Sequence, residues 1–229
     1  GRPISPWDFR VDGVTTISAD LHKFGYAAKG ASVIVHRSKD TLAHQMFVAT
    51  EFPGGIYASP TIAGTRPGGP IAAAWASLHA LGEPGFLALT RRALAACEAL
   101  KAGVRSIEGL ALVGAPESTL FAWRSVDKRV DTFAVADKLE ERGWHVDRQH
   151  KPVCIHLTVT ANHDAIVDDY VACLRACVAE VRANPSIVPK GNAAMYGMMA
   201  KIPSGFLFRP FVEGAVKRVM LSMYSGEAR

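Results

Sequence analysis

The sequence predicts an α/β fold, and three observations carry that prediction. Two β-branched segments, residues 14–23 and 31–37, flank a short turn that contains glycine. Alanine and leucine dominate residues 71–104, which favours helix. Strand-like and helix-like segments then alternate from residue 110 to residue 183. The 49% of hydrophobic residues is enough for a core of its own.

In the first half, the two flanking segments predict a strand pair around the turn. Residues 41–49 are mixed and predict a short helix, and residues 51–70, rich in glycine and proline, predict an ordered, functional loop. The helix that follows is predicted to be interrupted at residues 82–85, which contain two glycines and a proline, and to resume at 86–104.

In the second half, apolar runs predict strands at residues 110–113, 119–123 and 153–159. Asp131 is predicted to cap the N-terminus of a helix that ends at Gly143. An apolar face at helical spacing predicts a helix over 164–183, where His163 and Asp164 lie at its start and are interpreted as a cap. A final helix is expected over 206–224, after a loop at 186–204.

A lysine lies in the turn between the first two strands, within the stretch SADLHKFGYAAKG at residues 18–30. Lys23 follows His22 and precedes a run of small residues. A lysine held in a closed pocket can lose its proton and attack a carbonyl group. The simplest use of such an amine is a Schiff base with pyridoxal phosphate.

This stretch resembles the cofactor-lysine segment of the sphingosine-1-phosphate lyases. Those enzymes belong to the pyridoxal-phosphate decarboxylase-like group, whose members share a shorter Ser-x-x-x-His-Lys signature. A second block, GGIYASPTIAGTRPGG at residues 54–69, resembles the same lyases closely and the amino-acid decarboxylases much less. A third, MYGM at residues 195–198, resembles their C-terminal region, and Tyr196 within it is a weaker candidate for function.

The resemblance implies the C-terminal part of a fold-type I pyridoxal-phosphate-dependent transferase-like fold. We therefore expect residues 1–98 to form the end of the large-domain sheet with a linking helix, and residues 99–229 to form a small C-terminal α/β domain. Residues 85–105 are predicted to lead from one to the other. Nothing ahead of Lys23 supplies the aspartate for the pyridine nitrogen or the group that stacks on the ring. An upstream part of the same protein is expected to supply both, whether it is cleaved, disordered or a separate chain.

The resemblance also implies roles for individual residues around the lysine. Lys23 would bind the cofactor covalently and take part in catalysis, and His22 and Ser18 would contact the cofactor. Lys29 would act as a second active-site lysine that helps to bind the substrate phosphate. A histidine that packs, a serine that ends a strand and a lysine exposed in a loop are the structural alternatives.

In the related lyases, the glycine-rich loop crosses a homodimer interface and completes the partner subunit's site. The resemblance thus assigns Tyr57 to catalysis and Gly64 and Thr65 to the cofactor, within loop 54–69. Thr65 replaces the serine that is more usual there and keeps its hydroxyl group. Arg66 is either a phosphate ligand or a structural clamp.

The implied activity is a retro-aldol cleavage of sphingosine 1-phosphate, a phosphorylated long-chain base, into a fatty aldehyde and phosphoethanolamine. Two alternatives stay open. The lysine motif alone would also suit an amino-acid decarboxylase, and the third possibility is that the chain alone is an inactive fragment or one subunit of a split enzyme. The general base and the acyl-chain preference do not follow from the sequence.

Composition narrows the other classes of function. The net charge of +5 comes from dispersed basic residues, so we expect no nucleic acid as a partner. Four cysteines without metal-ligand spacing suggest free thiols in a reducing compartment, and no apolar run is long enough to cross a membrane. A cytoplasmic protein without a metal site is the expectation. Most histidines, among them His145, His156 and His163, are expected to be surface or core residues.

Overall fold

The structure, a computed structural model, describes residues 3–187 and, further on, residues 210, 213, 214, 217, 218 and 221. The chain divides into two compact units, Gly1–Ala88 and Leu89–Arg229. The predicted domain division after residue 98 concerns the complete fold and stays a prediction.

The first unit begins with a hairpin. Strands β1 (Thr16–Asp20) and β2 (Ser32–His36) pair antiparallel, with Ser18 opposite Ile34 and Asp20 opposite Ser32. This confirms the predicted strand pair around the lysine turn, and it places Lys23 three residues past the end of β1. Arg37 closes the open end of the hairpin, because its guanidinium donates to the carbonyl oxygens of Phe9, Val11 and Val14.

A second hairpin follows where a short helix over 41–49 and a loop over 51–70 were expected, so the strand Tyr57–Ser59 lies within the predicted loop. The helix α1 (Lys39–Ala43) is capped by the Ser38 hydroxyl and ends early, and strand β3 (Phe47–Ala49) pairs antiparallel with β4 (Tyr57–Ser59). The prediction of a helix over 41–49 was therefore wrong beyond residue 43. Its second half contains phenylalanine and valine, which favour a strand once a partner strand is available.

The helix α2 (Gly68–Arg105) runs through the region of the predicted interruption. Only Gly82 leaves helical geometry, with φ 55° and ψ −179°, a conformation that glycine adopts without steric cost. Pro84 is tolerated because it lies in the first turn of the segment that restarts there, where its missing N–H has no intrahelical partner to lose. The sequence predicted the place of the break and overestimated its length.

The second unit is built on a four-stranded antiparallel sheet. Its order is β5-β6-β8-β7, from β5 (Leu110–Leu112), β6 (Leu120–Ser125), β7 (Asp147–His150) and β8 (Val153–Thr158). Three of these strands were predicted. The edge strand β7 was missed because its sequence, DRQH, is wholly polar. The Arg148 side chain is buried nonetheless, since ion pairs join its guanidinium to Asp137 and Glu140.

Helices cover one face of this sheet and enclose the core. Asp131 caps α3 (Thr132–Glu141), as predicted, and a 3₁₀ turn (Ala161–Ile166) leads into α4 (Val167–Ala183). The ring of His163 accepts a hydrogen bond from the backbone N–H of Thr160, so this histidine caps the 3₁₀ turn. The prediction that His163 and Asp164 cap the long helix was wrong, because α4 begins later without a side-chain cap and Asp164 forms an ion pair with Arg92. Almost completely buried side chains of the core include Leu100, Val104, Trp123, Val135, Leu139, Ile155, Leu174 and Val178.

Two predictions fall largely on residues outside the described part. The MYGM block with Tyr196 and nearly all of the loop at 186–204 lie there. Of the expected final helix, the six described residues, Pro210, Glu213, Gly214, Lys217, Arg218 and Leu221, are helical. Within the described part of the chain, no helix combines the length and the apolar content that a bilayer span requires.

Candidate active site

The turn that carries Lys23 is held by its own backbone. The amide of Lys23 donates to the carbonyl of Asp20, that of Tyr26 to Lys23, and that of Ala27 to Leu21. A Cβ atom on Gly25 would lie 2.5 Å from the Leu21 carbonyl oxygen, which is a severe steric clash. Only glycine therefore fits at position 25, and this explains the Phe-Gly-Tyr sequence after the lysine.

Helix α2 braces the far side of the same turn. The hydroxyl of Ser77 lies 3.1 Å from the carbonyl oxygens of both Gly25 and Tyr26. Tyr26 adopts a positive φ of 54°, and its ring contacts that of Phe86 at a centroid distance of 6.2 Å. The turn is thus fixed from within and from the helix, which gives the lysine a defined point of attachment.

The Lys23 ammonium group forms an ion pair with Asp20. Its Nζ atom lies 2.8 Å from Oδ2 of Asp20, and the hydroxyl of Ser32 donates to Oδ1 of the same carboxylate at 2.7 Å. The hydrogen bond from Lys23, followed by that from Ser32, lowers the pKa of Asp20. The Lys23 side chain is 65% exposed. The described residues thus leave the amine open to solvent on one side rather than enclosing it in a pocket.

His22 provides an unfilled hydrogen-bonding position beside the lysine. Its Nδ1 atom is buried and has no partner among the described residues. A buried polar atom without a partner costs free energy, so such an atom indicates a missing group. An accessible primary amine next to an imidazole nitrogen in need of a partner suits a phosphorylated aldehyde. The residues present therefore fit pyridoxal phosphate.

Ser18 and Lys29 lie on the two sides of the turn. Ser18 is exposed on β1, and because side chains alternate along a strand it shares a face with Asp20. Lys29 is exposed in the last part of the turn, before Gly30, whose φ is 115°. The hairpin thus brings Ser18, His22, Lys23 and Lys29 into one short segment. Their assignment to cofactor and substrate stays a prediction.

The second hairpin carries the other candidate residues. Tyr57 begins β4, and its ring contacts those of Phe47 and Phe52, at centroid distances of 6.3 Å and 5.9 Å. A Cβ atom on Gly64 would lie 3.7 Å from the Tyr57 hydroxyl, so the loop folds back over the tyrosine. Thr65 is exposed beside Gly64.

Arg66 has a structural contact in the same loop. Its guanidinium donates to the hydroxyl of Thr61 at 2.6 Å, and that hydroxyl in turn donates to the carbonyl of Ala63. Of the two predicted roles, the structure shows the clamp. These internal hydrogen bonds hold the loop in one conformation, whereas its predicted functional role stays a prediction.

Sequence reasoning missed three residues that support the lysine, namely Asp20, Ser32 and Ser77. A signal for Asp20 was present, because an acid three residues before a lysine is well placed for an ion pair across a turn. Ser32 and Ser77 gave no such signal, since they reach the turn only through strand pairing and through the packing of α2.

The described residues contain no cluster of three or more histidine, cysteine, aspartate or glutamate side chains able to hold a metal ion. Their four cysteines are free thiols. Cys173 and Cys177 lie on one face of α4, as their spacing predicted, with sulfur atoms 4.0 Å apart.

Comparison with known proteins gives a consistent result at the level of sequence. No protein-family model matches the chain. The chain is 43% identical, over 203 residues and 89% of its length, to the sphingosine-1-phosphate lyase of Arabidopsis thaliana. It is 40% identical, over 98% of its length, to the enzyme of the same name from Drosophila melanogaster. The chain spans only 37% and 40% of these two relatives.

Solved structures agree on the fold. The sphingosine-1-phosphate lyase of Burkholderia pseudomallei superposes with a TM-score of 0.72 at 34% identity, over 87% of this chain and 44% of the other. Lactobacillus brevis glutamate decarboxylase superposes with a TM-score of 0.63 at 19% identity, over 77% of this chain and 42% of the other, which shows the fold alone. The predicted fold class, the C-terminal part of a fold-type I pyridoxal-phosphate-dependent enzyme, is confirmed. By its sequence, the chain belongs to the sphingosine-1-phosphate lyase family, of whose curated members it spans a little over a third.

Proposed function

We propose that this chain carries the lysine-bearing part of a pyridoxal-phosphate-dependent aldehyde-lyase. The enzyme cleaves a phosphorylated sphingoid base, such as sphingosine 1-phosphate, into a fatty aldehyde and phosphoethanolamine. The observation that supports this most is the braced turn with an exposed Lys23, in a segment whose relatives are named for that substrate. When bound, pyridoxal phosphate accepts the electron pair released as the carbon–carbon bond breaks.

The residues around Lys23 hold and release its proton. In the structure, the Asp20 carboxylate holds the ammonium group in an ion pair, with Oδ2 of Asp20 2.8 Å from Nζ of Lys23. To act as a nucleophile the amine must leave this ion pair and lose a proton. Asp20 then keeps its hydrogen bond from Ser32, so the carboxylate is not left without a partner.

The other candidate residues bind and orient. His22 offers its unpartnered Nδ1 atom to the cofactor, and Ser18 offers a hydroxyl group on the same face of the hairpin as Asp20. The Lys29 ammonium group attracts the substrate phosphate, a charge-assisted contact that strengthens when water is excluded. Tyr57, Gly64 and Thr65 are proposed to complete the site of a second copy in a homodimer.

Two finer points belong to the same proposal. An upstream part of the protein supplies the aspartate for the pyridine nitrogen and the group that stacks on the ring. The protein works in the cytoplasm, which the four free thiols favour, because such thiols persist in reducing compartments. An amino-acid decarboxylase has less support, because the likeness to decarboxylases is one of fold only.

The test is turnover of sphingosine 1-phosphate by the complete protein, with the fatty aldehyde and phosphoethanolamine both measured. Lys23→Ala should lower turnover at least roughly a thousandfold, because the group that binds the cofactor covalently is removed. Lys128→Ala, which changes an exposed lysine of the second unit, is the matched control and should leave turnover unchanged. Equal turnover by Lys23→Ala, or release of carbon dioxide from an amino acid in place of the cleavage, would refute the proposal.

A further inference from the structure

The second unit contains a cavity of about 230 Å³ that the lyase chemistry does not use. The cavity lies next to Asp147, the first residue of β7, which pairs with His156 of β8. The residues before Asp147 are not paired with β8. Residues of α2, the 3₁₀ turn and α4 close the remaining sides. The volume is that of roughly eight water molecules, so it suits a compact molecule.

The lining combines an apolar floor with a polar rim. The apolar part consists of Leu100, Trp144, Val146, Leu157, Ile166 and Tyr170. The polar part consists of His145, Asp147, His156, Thr158 and His163. An apolar cavity with a few converging polar groups is the usual form of a small-molecule site.

The lining contains one acidic side chain. Among the described residues that line the cavity, Asp147 is the one carboxylic acid, and neither lysine nor arginine takes part. The neighbouring Arg148 turns to the opposite face of the strand, where Asp137 and Glu140 bind its guanidinium. The cavity therefore presents a carboxylate that no cation of its lining neutralises.

The aromatic side chains of the cavity are held in place. The rings of Trp144 and Tyr170 meet edge to face, with centroids 5.2 Å apart and an angle of 78°. The hydroxyl of Tyr170 accepts a hydrogen bond from Nε1 of Trp123 at 3.3 Å. Burial raises the pKa of Tyr170 to about 12, so the phenol stays uncharged. Rigid, electron-rich aromatic faces attract cations.

The imidazole of His163 is held in place by Thr160. Its Nδ1 atom accepts a hydrogen bond from the backbone N–H of Thr160 at 3.1 Å, so the ring proton resides on the other nitrogen. His145 and His156 add further imidazole nitrogens at the rim. An imidazole nitrogen that carries no proton accepts a hydrogen bond from an ammonium group or an alcohol.

From these features we propose that the cavity binds a small organic ammonium ion with a compact apolar body. The Asp147 carboxylate pairs with the ammonium group. The rings of Trp144 and Tyr170 contact the apolar body of the ligand and its ammonium group. The site is separate from the lysine turn, and the proposal does not depend on the lyase activity.

The experiment uses three probes of similar shape and different charge: cyclohexylammonium, cyclohexanol and cyclohexanecarboxylate. Each is titrated into the 229-residue chain at neutral pH, and NMR follows the indole and imidazole signals. Cyclohexylammonium should bind most tightly, the alcohol about fivefold more weakly, and the carboxylate least, because one unpaired carboxylate favours the cation. Shifts should appear in the signals of Trp144, His156 and His163.

Asp147→Asn removes the charge and keeps the shape of the side chain. It should therefore weaken the binding of cyclohexylammonium about fivefold and leave the binding of cyclohexanol unchanged. Asp169→Asn, an exposed acid of α4 outside the cavity, is the matched control. The proposal fails if the alcohol or the carboxylate binds as tightly as the ammonium ion, if none of the probes shifts the three signals, or if Asp147→Asn changes nothing. The probe series on the unaltered chain decides the matter even if a variant does not fold.

Discussion

At the scale of single residues, the lysine turn depends on close contacts made by the residues on either side of Lys23. Gly25 lies against the Leu21 carbonyl, and Asp20 is shared by Lys23 and Ser32. The turn therefore fixes the backbone position from which the Lys23 side chain extends. Changes beside Lys23 should then affect the site without touching the amine itself.

Gly25→Ala tests this directly. The new Cβ atom would meet backbone at 2.5 Å, and backbone cannot move aside as a side chain can. We expect a loss of about 2 kcal/mol or more in the free energy of unfolding and faster proteolysis within the turn. Gly68→Ala, where a Cβ atom has no neighbour within 4 Å, is the control. Equal stability and equal resistance to proteolysis in the two variants would contradict the geometry of the turn.

The ion pairs of Asp127 should make the stability of the fold depend on pH. Its carboxylate binds Arg129 at 2.9 Å and Arg182 at 3.2 Å, and these bonds, led by that from Arg129, hold its pKa well below the usual range. A carboxyl group whose pKa is lower in the folded than in the unfolded chain stabilises the fold above the unfolded pKa of about 3.9. That contribution shrinks as the pH falls below it.

Asp127→Asn should accordingly lower the melting temperature at pH 7, and the difference from the unaltered chain should narrow between pH 4 and pH 2.5. Thermal unfolding followed by circular dichroism at a series of pH values measures this. Asp169→Asn serves as the exposed control. A difference that stays constant down to pH 2.5 would show that the two ion pairs contribute nothing.

At this scale, the sequence singled out Lys23 as the candidate cofactor lysine, which stays a prediction, and it predicted little of the surroundings of that lysine. The motif around Lys23 is local, so it can be recognised without a structure. The positions of Ser32 and Ser77 depend on the register of a hairpin and on the packing of a helix, which no local pattern contains. The histidines at the cavity were expected to be surface or core residues because they have no common spacing.

At the scale of elements, helix α3 begins where Asp131 satisfies two free amides. Its Oδ1 atom accepts hydrogen bonds from the backbone N–H groups of Phe133 and Ala134, at 2.8 Å and 2.9 Å. Asp131→Ala should lower the free energy of unfolding by about 1 kcal/mol, while Asp131→Asn, which keeps an acceptor, should lose much less. Urea unfolding of the chain distinguishes the two, and an equal loss would show that the charge and not the cap is responsible.

Where α2 crosses α4, helix propensity and side-chain packing have opposite effects on a substitution at Gly103. In an isolated helix, replacing Gly103 by alanine would gain about 1 kcal/mol of helix propensity. Here the new Cβ atom would overlap the Val171 side chain. Overpacking of this kind costs about 1–3 kcal/mol, so we expect a net loss.

Gly103→Ala should therefore destabilise the chain in urea, and Gly103→Ala combined with Val171→Ala should recover much of the loss. The single variant Val171→Ala is the reference needed for the coupling energy. A stabilised Gly103→Ala variant would mean that the two helices are not in close contact at this point.

The elements themselves were predicted best where one signal dominated. The cap at Asp131 and the apolar strand β8 are local features, and both were confirmed. Strand β7 was missed because its burial comes from ion pairs of Arg148 rather than from apolar residues. The helix predicted over 41–49 was wrong beyond residue 43 because β3 gains its hydrogen bonds from β4, a partner that lies further along the chain.

At the scale of the whole molecule, the two units differ in how they bury apolar residues. The second has a continuous core, whereas the first exposes apolar side chains on both faces of its β1–β2 hairpin, with Val33 and Val35 on one face and Ile34 on the other. Strands that are apolar on both faces are typical of the interior of a larger sheet. This agrees with a chain that matches only part of each relative.

The 229-residue chain should therefore bind the dye ANS, which fluoresces on exposed apolar surface. Ile34→Lys should reduce that fluorescence, because the charge falls within the apolar strand. Ile62→Lys, at an isolated and fully exposed loop position, should change it much less. Absence of ANS fluorescence in the unaltered chain would contradict the exposed surface of the first unit.

The most direct test of the lyase assignment is to identify the lysine that binds pyridoxal phosphate. The complete protein is loaded with the cofactor, reduced with borohydride, digested with trypsin and mapped by mass spectrometry. Because trypsin does not cut after a modified lysine, we expect the cofactor on a peptide of residues 11–29, with Lys23 as the modified residue. A cofactor attached to Lys29, on a peptide of residues 24–37, or to no lysine of this chain would contradict the account.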